Sequence, residues 1–412
     1  MTIVQQLKNY RALIIAAVLL IIIIARVQPQ ITRLYGTVTL FDSDKIVHNF
    51  SHMDEIYRTV EVKPTGTPSQ FTYHNKDKPN DMSQLPTSFV HEGVTLTLKE
   101  YLNQTKTTSF LVLDQDKIIF EDYYQGTKAT DRRIAWSVSK SFVSSLLGIA
   151  MDDGYQLDLR SPITSYVPQL KKSGYNKVPI HDILEMSSGV LFNEDYDDFS
   201  SDINRFGRAI ALGASMDEFA ISLKKDKPSG KRVHYVSLDT HVLGMLIRAI
   251  TGKPFVEYFD EKIWSKLKTE DSAVFIVDDY DEAIVLGGLN MRTRDFARFG
   301  RMVARDGFVE NTEVVPQSWI KDSTTWHSRH TKPGYNGSDN EPFGYGFQWW
   351  IPADPEQECI AIGIYGQYIY INKKEKIVIV KTSSNTYFSK NHVKSKLLSI
   401  SAFRAIVKHL RS

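Results

Sequence analysis

Cysteine is nearly missing from this 412-residue chain, where Cys359 stands alone. A single thiol excludes an intramolecular disulfide and a metal site built from several thiolates. A lone cysteine can still be a nucleophile. Cys359, however, follows the acidic stretch 354–358, which disfavours its thiolate, so we read it as structural. Excess charge is lacking too. The formal net charge is +2 and no long basic run exists, so no nucleic-acid partner is indicated. Lys171-Lys172 and Lys224-Lys225 are short enough to be solvated surface. His181, His234 and His241 lack metal-ligand spacing with carboxylates, and neither a metal nor another cofactor is expected. Internal repeats and low-complexity tracts are absent as well.

Long hydrophobic runs are scarce. The longest, Ala12 to Ala25, has 14 residues and follows Lys8 and Arg11. A signal-peptide core has about 7–15 apolar residues and a spanning helix about 20. Ala25-Arg-Val-Gln28 makes a poor cleavage site, and Ile21 to Ile24 would face every side of a helix. We therefore expect residues 1–27 to be an uncleaved signal anchor, a single transmembrane helix that borrows Val27 and its flank. The membrane is then a partner. The basic flank places the N-terminus in the cytoplasm and the globular body outside it, in the periplasm if the cell is Gram-negative.

The rest has the size of a two-part globular body. Residues 28–105 are rich in turn formers and read as a stalk and lead-in. The body spans 106–412. Phe110-Leu-Val-Leu113 and Ile118-Ile-Phe120 form one hairpin pattern, and Gln367 to Asn372 with Ile377 to Lys381 form another. Ser395 to Leu410 has helical spacing with a basic face. Strands from both chain ends predict one antiparallel sheet flanked by helices, an α/β fold of the α+β type, with a mostly helical insertion at about 160–290.

Ser-x-x-Lys occurs four times, at Ser137, Ser222, Ser265 and Ser318. Only Ser137 opens a long apolar helix, which runs to about Met151 before Asp152-Asp-Gly154. Residues three apart share a helix face, so Lys140 can reach the Ser137 hydroxyl. The helix N-terminus favours developing negative charge, and burial makes a neutral lysine available as a base. The bland alternative keeps Ser137 as a cap and Lys140 as a snorkelling side chain.

The segment Arg133-Ile-Ala-Trp-Ser-Val-Ser-Lys-Ser-Phe142 resembles the active-site segment of the serine β-lactamase and penicillin-binding protein superfamily. The branch with class C β-lactamases and 6-aminohexanoate-dimer hydrolases fits best, from about residue 108 onward. Further matches follow in order at Val178 to Gly189, in the acidic loop Asn193 to Asp198, and at Gly287 to Gly300. The resemblance implies a β-lactamase/transpeptidase-like fold. It also implies a second catalytic box at Tyr235-Val-Ser237, with Ser237 where class C enzymes have asparagine. The third box matches Gly363-Ile-Tyr-Gly-Gln367, with Ile364 in place of the basic residue.

By that resemblance Ser137 is the nucleophile, with Lys140 and Tyr235 as general base and acid. The N–H groups of Ser137 and Gln367 form the oxyanion hole, and Tyr196, Ser237, Tyr365 and Gly366 contact substrate. The expected activity is acyl-enzyme hydrolysis of a small amide or ester. Two other readings stay open: a β-lactamase or D-Ala-D-Ala carboxypeptidase, which Ile364 disfavours, and a catalytically silent membrane-anchored binding protein. Nothing in the sequence indicates an oligomeric state.

Overall fold

The computed structural model describes residues 3–335, 342–353 and 356–412, with side chains from residue 13 onward except 19 and 22–26. The short apolar runs at the two ends of the body build its main sheet. Thr107–Asp114 and Lys117–Tyr123 pair as one hairpin, and Gln367–Asn372 and Ile377–Ser383 as another. The hairpins join because Ile377–Ser383 pairs antiparallel with Thr107–Asp114. The result is an eight-stranded sheet. Its order is Gly344–Tyr345, Trp350–Ile351, Glu358–Gly363, Gln367–Asn372, Ile377–Ser383, Thr107–Asp114, Lys117–Tyr123 and Thr72–Tyr73. Thr72–Tyr73 alone runs parallel to its neighbour.

Strand periodicity of two decides what covers each face. Ile369 and Val378 face helix Thr293–Ala304, which comes in closely through Gly300. A Cβ on Gly300 would lie 2.5 Å from Val378 and 2.8 Å from Ile369. Tyr368 and Tyr370 point the other way and meet Phe403 of helix His392–Arg411, with ring centroids at 5.5 and 5.4 Å. Each fully buried large apolar side chain contributes roughly 1.5–3 kcal/mol. Arginines fasten helix Thr293–Ala304 at its polar side: Arg294 to Glu121, Arg298 to Asp295 and Glu270, and Arg301 to Asp116. Buried guanidinium groups are tolerable because they are paired.

A second, four-stranded sheet has the order Thr59–Val62, Ala273–Ile276, Leu289–Arg292, Arg132–Ile134. Helices Ser139–Asp152 and Ser237–Thr251 pack on each other, and Phe142 of the first stacks on Phe299 at 3.6 Å. The 160–290 region holds helices Asp202–Ala211, Met216–Ser222 and Ser237–Thr251, and it also supplies strand Ala273–Ile276. Residues 28–105, read above as a stalk and lead-in, are packed on the body. Leu40, Ile46, Phe50 and Met53 are buried, and strands from this stretch extend both sheets. Their turn-rich composition reflects many short elements joined tightly.

The expected transmembrane helix is overturned. A helix does run Ile3–Val38, but Arg26, Gln28, Pro29, Gln30 and Arg33 follow the apolar run within it. At 1.5 Å per residue, 14 residues cover about 21 Å, short of the ~30 Å hydrocarbon core. The same helix continues past the expected anchor onto the body: Arg33 pairs with Asp279, and the Thr37 hydroxyl lies 2.8 Å from that of Tyr57. Among the described residues no helix is long and apolar enough to cross a membrane. The single-pass topology, the membrane as partner and the placement of the body outside the cytoplasm all rested on that helix and fall with it.

Candidate active site

Strand Arg132–Ile134 delivers the chain to Ser137 through a sharp reversal. Ala135 N–H donates to Leu289 O at 2.8 Å, and Trp136 then adopts φ = 46°. A left-handed bulky residue is strained by about 1–3 kcal/mol and must be held by its surroundings. The Trp136 ring sits among Phe41, Phe50 and Tyr365, with centroids at 5.9, 5.5 and 6.5 Å. A short 3-10 turn, Trp136–Val138, leads into helix Ser139–Asp152.

Lys140 Nζ lies 2.9 Å from Ser137 Oγ, 3.2 Å from Ser237 Oγ and 2.7 Å from Leu286 O. Lys140 is only 1% exposed. Burial lowers its ammonium to about 7, against smaller upward pulls from Glu194 and Asp239. The Tyr235 phenol lines the same cavity as Ser137. Burial and then the Glu194 charge push that phenol well above its usual range. Tyr235 also stacks on Trp350 at 5.5 Å, with Lys140 Nζ 5.4 Å from its ring centroid.

Glu194, which the sequence placed only within the acidic loop Asn193 to Asp198, holds Ser237 and Tyr196 in the structure. Glu194 accepts from Ser237 Oγ at 2.5 Å, from Ser237 N–H at 3.0 Å and from the Tyr196 hydroxyl at 3.0 Å. It thereby satisfies the start of helix Ser237–Thr251, whose N-terminal N–H groups need acceptors. Burial raises its carboxyl, and the Lys140 charge opposes that rise.

Ser137, Lys140, Tyr235, Ser237 and Tyr196 therefore come together. Tyr365, Gly366 and Gln367 take a different place. Tyr365 is buried and stacks on Phe41 at 4.6 Å. Gly366 and Tyr365 give their carbonyls to Ser383 Oγ at 2.9 and 2.6 Å. Gln367 stands opposite Gly363 in the hairpin, and its side-chain amide donates to Ile364 O and Ser383 O at 3.1 and 2.8 Å. The part of this turn that borders Ser137 is Gly363-Ile364. A Cβ on Gly363 would lie 2.5 Å from Ala135 O and 3.1 Å from Trp136 Cβ, so only glycine allows this approach. Cys359 is buried, which raises its thiol to about 12 and leaves it protonated.

Two cavities meet at Ser137. The larger, about 560 Å³, is lined by Ser137, Tyr235, Ile364, Asp195, Trp350 and Lys396 among others. The smaller, about 290 Å³, is mostly apolar and is walled by Val38, Phe41, Trp136, Phe206 and Ile284 among others. Small-molecule sites are of this size and largely apolar with a few placed polar groups.

A serine at the meeting of two such cavities, one helical turn before a buried lysine, is the layout of a serine hydrolase. The chain belongs to the beta-lactamase family of serine hydrolases, whose model, described as Beta-lactamase, matches residues 96–399. It is similar to 6-aminohexanoate-dimer hydrolase of Paenarthrobacter ureafaciens, with 32% identity over 295 residues, 70% of this chain and 75% of that protein. Among solved structures it is similar to one provisionally assigned as a 6-aminohexanoate-dimer hydrolase from Bacillus anthracis. That match has a TM-score of 0.76 at 23% identity and covers 90% of this chain and 96% of the other. A D-stereospecific amidohydrolase from Streptomyces shares the fold at TM-score 0.54 and 14% identity, over 75% of this chain and 98% of that one. With such relatives the chain is an enzyme of the hydrolase class.

Proposed function

We propose that the chain hydrolyses a small amide or ester through an acyl-enzyme on Ser137, with Lys140 as general base and Tyr235 as general acid. The observation that carries this is the hydrogen-bond accounting around Lys140. A neutral amine has two N–H donors and one lone pair. Leu286 O can only accept, so it takes one donor. Ser237 Oγ commits its proton to the Glu194 carboxylate, so it accepts the second. The lone pair is left for Ser137, whose O–H then donates to it. Ser237 in place of asparagine thus supports the base.

In this reading the Ser137 proton passes to Lys140 as Oγ attacks the carbonyl carbon. The negative oxygen is met by the N–H groups of Ser137 and Ile364, because Ile364, rather than Gln367, borders the serine. Tyr235 is held protonated and gives its proton to the leaving nitrogen or oxygen, and the Lys140 ammonium beside its ring passes the proton taken from Ser137 to the phenolate, which resets both groups. Water then attacks the acyl group, gives its proton to Lys140, and Ser137 is regenerated. The larger cavity and the smaller, more apolar one take the two halves of the substrate. The relatives named amide hydrolases support the reaction class. The test is labelling with a fluorophosphonate and turnover of short p-nitrophenyl esters: both are expected in the wild type and lost in Ser137→Ala. Labelling that persists in the variant overturns the assignment.

A further inference from the structure

Lys396, on helix His392–Arg411, lines the larger cavity together with Ser137. It is 5% exposed. Its ammonium has no anionic partner among the described residues. It rests on the Trp350 ring, 3.4 Å from the centroid, and lies 5.6 Å from the Phe343 centroid. An aromatic face compensates part of the lost hydration of a cation but provides no counter-charge. Trp350 also stacks on Tyr235. The lysine is therefore tied through one indole to a phenol that lines the serine's cavity.

The contrast with Lys381 is informative. Lys381 is equally buried and also rests on rings, those of Tyr101 and Tyr368, but it borders neither of the two cavities at Ser137. Lys396 opens onto a space large enough for a ligand. Its neighbours in the cavity wall suit a singly charged guest. Asp195 and Asp197 also line this space, and Asp197 is engaged by Ser389 at 3.2 Å, so a multiply charged anion would be repelled.

We propose that Lys396 anchors a carboxylate of the substrate, which makes the substrate a carboxylate-bearing amide or ester. This rests on the hydrolase reading above and narrows it. Ile364 brings no charge to the hairpin beside Ser137, and a cation reaches the cavity from the C-terminal helix. Burial lowers the Lys396 ammonium to about 7 in the empty site. A bound carboxylate supplies the missing charge and holds the proton on. Lys396 is a binding residue in this scheme and takes no part in proton transfer.

The test uses matched substrates on the full chain: mono-p-nitrophenyl adipate against p-nitrophenyl hexanoate, and 4-acetoxybenzoate against its methyl ester. The first pair places the charge on the acyl side and the second on the leaving side. In at least one pair the wild type is expected to favour the anion in kcat/KM by roughly tenfold to a hundredfold, the range for a hydrogen bond to a charged group. That ratio should collapse in Lys396→Met, persist in part in Lys396→Arg, and be unmoved in Lys381→Met. Lys396→Gln replaces the methionine variant if the latter does not fold. No preference in either pair, or a preference that survives loss of the charge, overturns the proposal. A second arm needs no turnover. Ligand-observed NMR of hexanoate against hexanamide on Ser137→Ala should show tighter carboxylate binding that disappears when Lys396→Met is added, and equal binding overturns the anchor. An enzyme that binds hexanoate through Lys396 but turns over no ester would refute the hydrolase reading and leave the anchor standing.

Discussion

Glu194→Gln gives the sharpest test of the base. Ser237 Oγ bridges the two groups, 3.2 Å from Lys140 Nζ and 2.5 Å from Glu194 Oε1. The charges therefore lie at most about 5.7 Å apart, and at an effective dielectric near 20 their attraction is about 3 kcal/mol. That attraction favours the ammonium. In the proposed mechanism the catalytic form is the neutral amine, so wild-type kcat/KM should rise with pH through about 7, the level to which burial brings Lys140. Removing the carboxylate charge while keeping a hydrogen-bond acceptor favours the neutral amine. The acid limb of the profile should then move to lower pH by roughly one to two units, since each unit corresponds to about 1.4 kcal/mol. One of the two bonds to Ser237 is lost, so the plateau should fall, and the informative quantity is the midpoint. A short p-nitrophenyl ester followed from pH 4.5 to 9 reads it. A midpoint that stays in place or moves upward refutes Lys140 as the titrating base.

Two more predictions concern cost and close approach. Lys140→Met should abolish turnover and relieve the desolvation of the buried ammonium, a gain that the loss of the cation facing Glu194 offsets in part. The folded ammonium, at about 7, lies below its ordinary 10.5, so wild-type stability is complete above about 10.5 and declines as pH falls toward 7. Urea denaturation should accordingly show a larger gain for Lys140→Met at pH 7 than at pH 9.5, and a gain that does not grow toward pH 7 contradicts the burial argument. Gly363→Ala places a Cβ 2.5 Å from Ala135 O. It should lower stability by about 1–3 kcal/mol through overpacking and reduce kcat more than it raises KM, because Ile364 N–H is displaced from the oxyanion position. Steady-state kinetics and a thermal melt decide this, and unchanged kcat counts against the assigned oxyanion donor.

Ser137 and Lys140 were legible because their relation is local. Three residues on a helix fix the geometry whatever the rest of the fold does, and helix Ser139–Asp152 lies where the apolar run placed it. Tyr235 and Ser237 were legible from order along the chain. The third box was located but not resolved residue by residue. Which N–H faces the serine depends on the hairpin pairing Gly363 with Gln367 and on the packing against Trp136. Glu194 was named without its role, since loop direction is set by tertiary contacts with Ser237 that no spacing encodes. Lys396 lay hidden in a basic helix face that reads as solvent-exposed until Trp350 and Phe343 are brought over it. The misplaced membrane helix shows the opposite error. A local hydropathy run was read as a separate anchor, whereas its helix continues into residues that pair with Asp279 and Tyr57.

The joining of the two chain ends in one sheet bears on how the protein is made. Thr108 and Thr382 hydrogen-bond at a sequence separation of 274. Pairing over that distance is slow, because the entropy of closing the loop is lost before contacts reward it. Helix Ser139–Asp152 is synthesised early, yet the strand that brings Gly363 to it and the helix that carries Lys396 come near the end. A nascent chain therefore carries Ser137 and Lys140 for most of its synthesis without a cavity around them. Hydrolytic competence arrives only once residues 358–411 have been made, and truncations that remove them should yield aggregation-prone chains with no reactive serine rather than weakly active enzymes.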